Sequence, residues 1–434
     1  MDILVQQNLS KKNLIVVDIG FENIKVIEAN VLRGKIKVTK SCMIPKSYKY
    51  FTGNELNMIK ELVGDVMKKI RDEGMRSKEV RIVLPSICTQ HKVVEAVAVK
   101  EKDLPSYVRN EAGSMLSKAA STINCTDWCV IGSNENGDES TKTCLIASVP
   151  RKIAFGLASE FEKLKANVTV MTIPLLSAKS ICDLYKADYE HPVKLFVDFG
   201  ATSIRMIVAN AGNITMLREH HVGGHTITSE IYDELSKCVD GKSAKESFSV
   251  KAMYELLENV GTTLLSNSQG GSEYDEYSDF SSYNEYGTSD DTNADTSNSD
   301  ANVLGGDNFY EKESNNEDSE DAKAYDYLFK YGINPIQYNE LMERSYDEII
   351  SEVIKTIDHC ADGVSKPTEI IYFGRISKVK GFIERLRESV NIPVEELDIE
   401  RHDTGSGYSI EQSAGVHLTS DFANSLAMCI DILV

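Results

Sequence analysis

The chain has 434 residues, 41% of them hydrophobic, and a formal net charge of −20, which is length for more than one core and apolar content enough to pack them. Lysines and arginines group no further than short runs such as Lys68-Lys69, which excludes a nucleic-acid-binding surface. No stretch approaches the roughly 18 uninterrupted apolar residues of a membrane span, and MDILVQQNLSKK has no basic region ahead of an apolar one, so a soluble chain without a signal peptide is expected.

In chain order, Met1 to Lys12 reads as a loose leader. Asn13 to Ile27, NLIVVDIGFENIKVI, is an apolar strand, a tight Asp18-Ile19-Gly20 turn and a second strand from Ile24. Val31 to Ser41 reads as a further strand pair turning at Arg33-Gly34-Lys35. Leu56, Ile59, Val63, Val66, Met67 and Ile70 recur at three- and four-residue steps, which predicts an amphipathic helix over Asn54 to Glu73 packed on a sheet. Val80 to Leu84 is a short buried strand, Pro85-Ser86 turns into Thr89 to Val99, and a helix runs from Lys102 to about Leu116. The strand Trp128 to Gly132 and the polar turn Asn134 to Ser140 follow. Strand Thr143 to Val149, helix Arg151 to Lys165, strand Val168 to Thr172 and helix Pro174 to Leu184 then alternate. The nine cysteines are scattered, and Cys125 and Cys129 have no histidine nearby, so reduced and mostly buried thiols are expected rather than a metal site.

Lys194 to Gly224 repeats the opening design about 180 residues later: Leu195 to Val197, Asp198-Phe199-Gly200, then Ile204 to Val208. Such a turn also occurs in ordinary hairpins. It can equally hold a phosphate, with Gly200 letting amides approach an anion, Thr202 and Ser203 adding hydroxyls, and Asp198 orienting a metal-bound water. Two copies suggest related domains facing one cleft. Val222-Gly223-Gly224 ends a strand and His225 starts a helix; no acid is placed to orient that histidine as a base. Ser266 to Tyr325 holds 16 acidic residues against two lysines and few aliphatics, which predicts a disordered insert carrying −14 of the net charge. Tyr338 to His359 reads as a long amphipathic helix, Thr368 to Phe373 as a strand, Gly381 to Val390 as a helix and Ile392 to Leu397 as the last clear strand.

The two Asp-x-Gly turns, with Tyr372-Phe373-Gly374-Arg375 and Gly381 as a third nucleotide-facing segment, resemble the actin-like ATPase superfamily. Within it the sequence is most similar to the PilM-type proteins of type IV pilus assembly, and next to the FtsA-type division proteins. The resemblance spans roughly 13–259 and 327–434, and is most specific over Glu369 to Asp398; Asp421 to Val434 matches the closing helix of the family. It implies an α/β actin-like (ribonuclease H-like) fold of two domains: 13–190 with a small inserted subdomain about 80–140, and 191–434 interrupted by the disordered insert 266–325. It further implies ATP and Mg²⁺ in the cleft, held by Asp18, Gly20, Lys25, Asp198, Gly200, Ala201, Thr202, Ser203, Gly223, Gly224, Gly374 and Arg375, with Asp18 and Asp198 reaching the metal through water. The implied partner is the cytoplasmic N-terminus of a PilN-like inner-membrane protein, with self-association beside it, and the implied location is the inner face of the cell membrane.

Three departures from the family pattern predict weak nucleotide affinity and slow or absent hydrolysis. Phe21 and Glu22 replace small hydroxyl residues after the first turn. Arg375 puts a side chain where the purine would approach. Ala252-Met253-Tyr254-Glu255-Leu256 keeps the alanine of a ribose-touching motif and loses both charged groups, at Met253 and Leu256. An FtsA-like polymer former would need a membrane-attaching amphipathic helix, and LAMCIDILV lacks a basic face. A sugar-kinase reading would need a carboxylate base beyond Asp198.

Overall fold

The computed structural model describes residues 12–32, 35–45, 47–52, 55–115, 124–136, 139–184, 193–210, 213–238, 326–361, 366–399 and 409–429, with 253, 256, 257 and 260. Residues 1–11 of the expected leader, the acidic insert and the end of the closing helix lie outside the described residues, while Lys12 already opens the first strand.

The chain begins with three antiparallel strands, β1 (Lys12–Ile19), β2 (Asn23–Leu32) and β3 (Lys35–Pro45). Short strands β4 (Phe51–Thr52) and β5 (Glu55–Leu56) pair before α1 (Ile59–Asp72). The helix therefore starts at Ile59, a few residues after the expected Asn54, because Leu56 is buried as part of this hairpin rather than of the helix. After β6 (Glu79–Val83) come β7 (Gln90–Val97), α2 (Leu104–Met115), β8 (Asn124–Asn136) and β9 (Glu139–Pro150), then α3 (Arg151–Lys163), β10 (Asn167–Thr172) and α4 (Pro174–Leu184). The second passage runs β11 (Val193–Phe199), β12 (Ile204–Asn210), β13 (Asn213–His220), α5 (Gly224–Cys238), α6 (Pro335–Ala361), β14 (Glu369–Phe373), α7 (Phe382–Ser389), β15 (Val394–Glu396), β16 (Ser409–Gln412) and α8 (Ala423–Ala427).

Two main sheets result, a six-stranded one ordered β10-β6-β1-β2-β3-β16 and a five-stranded one ordered β13-β12-β11-β14-β15. In each, an antiparallel hairpin (β1–β2, β11–β12) is flanked by a parallel strand (β6, β14), so the second passage repeats the first. β1 and β11 read as nearly continuous apolar runs because helices cover both of their faces. Leu62, Val66, Leu157 and Phe161 of α1 and α3 cover one face of the first sheet, while Leu176 and Ile181 of α4 and Leu426 of α8 cover the other.

Two placements differ from expectation. Glu79–Val83 pairs in parallel with β1 and belongs to the central sheet, and the small separate sheet is β7-β9-β8 with α2 packed on it. A strand not anticipated, β16, returns to pair with β3, and α8 lies against α4, so the end of the chain belongs to the first sheet rather than the second. α8 shows no readable amphipathic period because all of its residues are buried. Among the described residues no helix is long and apolar enough to cross a membrane.

Candidate functional site

The ends of β1 and β11 meet across a cleft, and the hairpin register fixes what each Asp-x-Gly turn presents. Asp18 pairs across its hairpin with Lys25, and Asp198 with Arg205, so each aspartate faces a cation seven residues on. A Cβ on Gly20 would come within 2.7 Å of Asn23 O, and one on Gly200 within 2.7 Å of Ser203 O. Both turns thus need glycine for the same steric reason. Lys25 Nζ lies 3.4 Å from Asp18 Oδ2. Burial pushes the Asp18 carboxyl above its usual range, and Lys25 only partly opposes this. Burial works to lower Lys25, but Asp18, Asp421 and Asp198 outweigh it and raise the ammonium.

Arg205, which the turn motif does not draw attention to, is the centre of the second site. Its guanidinium is 6% exposed and donates from Nη1 to Asp198 Oδ2 at 2.5 Å, from Nε to Glu219 Oε1 at 3.1 Å, and from Nη2 to Ser86 Oγ at 2.9 Å and Ser203 Oγ at 3.1 Å. Asn424 of α8 donates a further bond to Asp198 Oδ2 at 3.1 Å. Ser203 donates to Glu219 Oε1 at 2.6 Å, and the Thr202 and Ser86 hydroxyls lie 3.2 Å apart. Burial alone would raise Glu219; Arg205, the Ser203 hydroxyl and His91 instead hold it below the usual range. His91 Nδ1 stands 3.2 Å from Glu219 Oε2 and is itself lowered by burial against the pull of Glu219.

The remaining expected residues are brought to the same place, with different partners from those expected. A Cβ on Gly223 would fall 2.5 Å from Ala201 O, which seats the start of α5 on the second turn. The Gly224 amide donates to Gly200 O at 3.2 Å and the His225 amide to Ala201 O at 2.7 Å. Gly374 takes a φ of +98°, and a Cβ there would meet Phe199 O at 2.7 Å and Asp198 Oδ1 at 2.8 Å. Arg375 places Nε 3.3 Å from Glu22 Oε2, and the Phe21 ring packs on His225 with centroids 4.5 Å apart. The two departures expected to repel phosphate and to crowd the purine therefore pair with each other. Met253 and Leu256 are fully buried in the second core.

ATP with Mg²⁺ does not fit this arrangement. Asp198 Oδ2 already accepts from a guanidinium and an amide, and a divalent cation there would stand against the positive charge of Arg205. The Gly200 amide donates to Asp198 O and Ser203 O, both at 3.1 Å, and the Gly224 and His225 amides serve the turn carbonyls, so these three backbone donors are engaged within the chain. The cavity between the turns is about 70 Å³, against the roughly 300–1,000 Å³ of small-molecule sites.

A larger groove of about 340 Å³ lies on the first sheet's side, between residues 125–129 of β8 and 168–172 of β10, and is also lined by Ala154, Phe155 and Ala158 of α3. Both strands are edges of their sheets. Phe155 is 49% exposed at its rim.

A family model described as type IV pilus assembly protein PilM matches residues 16–266, more than half of the chain. The chain belongs to the PilM family. A solved PilM–PilN type IV pilus biogenesis complex shares its fold with a TM-score of 0.64 at 11% identity, covering 96% of this chain and 98% of that one. Two further matches are the ethanolamine utilization protein EutJ from Carboxydothermus hydrogenoformans (TM-score 0.42, 8% identity, 99% and 94% covered) and MreB5 of Spiroplasma citri bound to ADP (TM-score 0.41, 10% identity, 91% and 94% covered). Among curated proteins no sequence match is found. The fold of this PilM-family chain is that of the actin-like ATPases.

Within this PilM-family cleft, sequence reasoning misses Arg205, Glu219, Ser86, His91 and Asn424. A signal for Arg205 exists: it follows Asp198 by the spacing that separates Lys25 from Asp18, and a tight hairpin sets those positions opposite each other. The others come from separate elements and carry no local signature.

Proposed function

We propose that this chain is a scaffold of type IV pilus assembly that holds an extended peptide from the cytoplasmic N-terminus of a PilN-like inner-membrane protein in the groove between β8 and β10. The observation that carries this is that, among the described residues, β8 and β10 are edge strands of their sheets and border one largely apolar groove. An extended peptide added to either edge gains main-chain hydrogen bonds, and alternate side chains drop into the groove. In this reading the protein is held at the inner face of the membrane by its partner, and two actin-like domains, 13–190 and 191–434, share a cleft, with the last strand and helix crossing back to the first sheet. The weak ATP and Mg²⁺ binding implied by the resemblance has no part in it, because Asp198 and the Gly200, Gly224 and His225 amides are engaged by the chain itself.

Phe155→Asp tests the groove. Phe155 is half exposed, so its replacement leaves the melting temperature nearly unchanged. A carboxylate at the groove rim should weaken binding of the partner's N-terminal peptide at least tenfold, about 1.4 kcal/mol. Unchanged affinity by fluorescence anisotropy would place the peptide elsewhere.

A further inference from the structure

We infer that Arg205 takes the place of the divalent cation in this cleft, and that the closed arrangement of the two sheets is held by the chain's own side chains and does not depend on nucleotide. The inference goes beyond the partner-binding reading and stands or falls separately from it.

Asp198 and Glu219 are 4% and 3% exposed at their side chains, and two buried carboxylates need a compensating cation. A metal could provide it, but Arg205 does so from within the hairpin, one guanidinium edge serving each acid and the remaining donors serving two serine hydroxyls. A planar five-donor group suits this task better than a lysine, whose point charge cannot reach four acceptors spread in different directions. Among the described residues no cluster of acids, histidines and cysteines is arranged to hold a metal ion.

The same network ties the two sheets together. Ser86 follows β6 of the first sheet, and its hydroxyl meets Arg205 and Thr202 of the second. Asn424 of α8, packed on the first sheet, bonds to Asp198. His91 of the small sheet pairs with Glu219 of β13. On the far side of the cleft Glu22 pairs with Arg375, and Phe21 packs on His225. In a nucleotide-gated cleft these bridging positions would be supplied by the ligand's phosphates and metal. Here side chains from both sheets supply them, so each sheet is held against the other in the protein alone.

The test uses the full-length wild type and Arg375→Gln, with Mg²⁺ and ATP or ADP at millimolar concentration as probes. For the wild type, the melting temperature with and without Mg²⁺-nucleotide should agree within about 1 °C, since a ligand that does not bind the native state cannot stabilise it. Hydrogen exchange at 198–205 and 374–378 should be equally unaffected. A rise of several degrees, or new protection in those segments, would overturn the inference. Arg375 is 37% exposed at its side chain, so Arg375→Gln should fold. It should exchange several-fold faster at 21–25 and 374–378; unchanged exchange there would mean that the cross-cleft contacts do not hold the cleft closed, and would also overturn it.

Discussion

Arg205→Met removes the guanidinium that faces both Asp198 and Glu219, leaving the buried Asp198 with the Asn424 amide and the buried Glu219 with His91 and the Ser203 hydroxyl. Breaking a buried ion pair from one side costs about 3–5 kcal/mol, more than most single substitutions, and denaturant unfolding should show it. Gly200→Ala should be destabilising by roughly 1–3 kcal/mol in the same assay, because its Cβ would press on Ser203 O at 2.7 Å and the turn must open. Stability of Arg205→Met within about 0.5 kcal/mol of wild type would show the network to be ornamental. The two aspartates, the two turn glycines and Lys25 are legible in the sequence because tight turns leave local signatures. Glu22 and Arg375 are each legible as departures, yet their pairing is not, since nothing local relates a turn near the N-terminus to one near the C-terminus.

At the scale of elements, β7 of the small sheet and β13 of the second sheet are joined by His91 and Glu219, and this joint has a pH signature. Burial holds His91 below its ordinary 6.5, so on acidification the unfolded chain takes up that proton before the folded one does, and stability falls as pH drops below 6.5. Glu219 is held below its ordinary 4.5, so its contribution is present above 4.5 and is lost as pH falls further. The two effects have the same sign in successive windows. Through this joint the melting temperature should therefore decline as pH falls from neutral, and His91→Gln should flatten the part just below 6.5 and, because His91 also helps hold Glu219 down, lessen the fall below 4.5. Identical profiles for wild type and variant would contradict this. The strand and helix alternation that builds both sheets is legible from apolar runs and helical spacing. β16 is not, because a four-residue edge strand lacks any period to read, and α8, a wholly buried short helix with no period of its own, is reached only through the family resemblance over Asp421 to Val434.

For the whole molecule, the account is that an actin-like ATPase fold of the PilM family serves as a partner-holding scaffold whose closed form its own side chains supply. Isothermal titration of the PilN-like partner's N-terminal peptide into the full chain tests that most directly, run once without nucleotide and once with millimolar Mg²⁺-ATP. The account predicts micromolar or tighter binding, about −8 kcal/mol or better, with the same affinity in both runs. No heat in either run at high peptide concentration would contradict the scaffold, and binding that appears only with Mg²⁺-ATP would contradict the self-closed cleft.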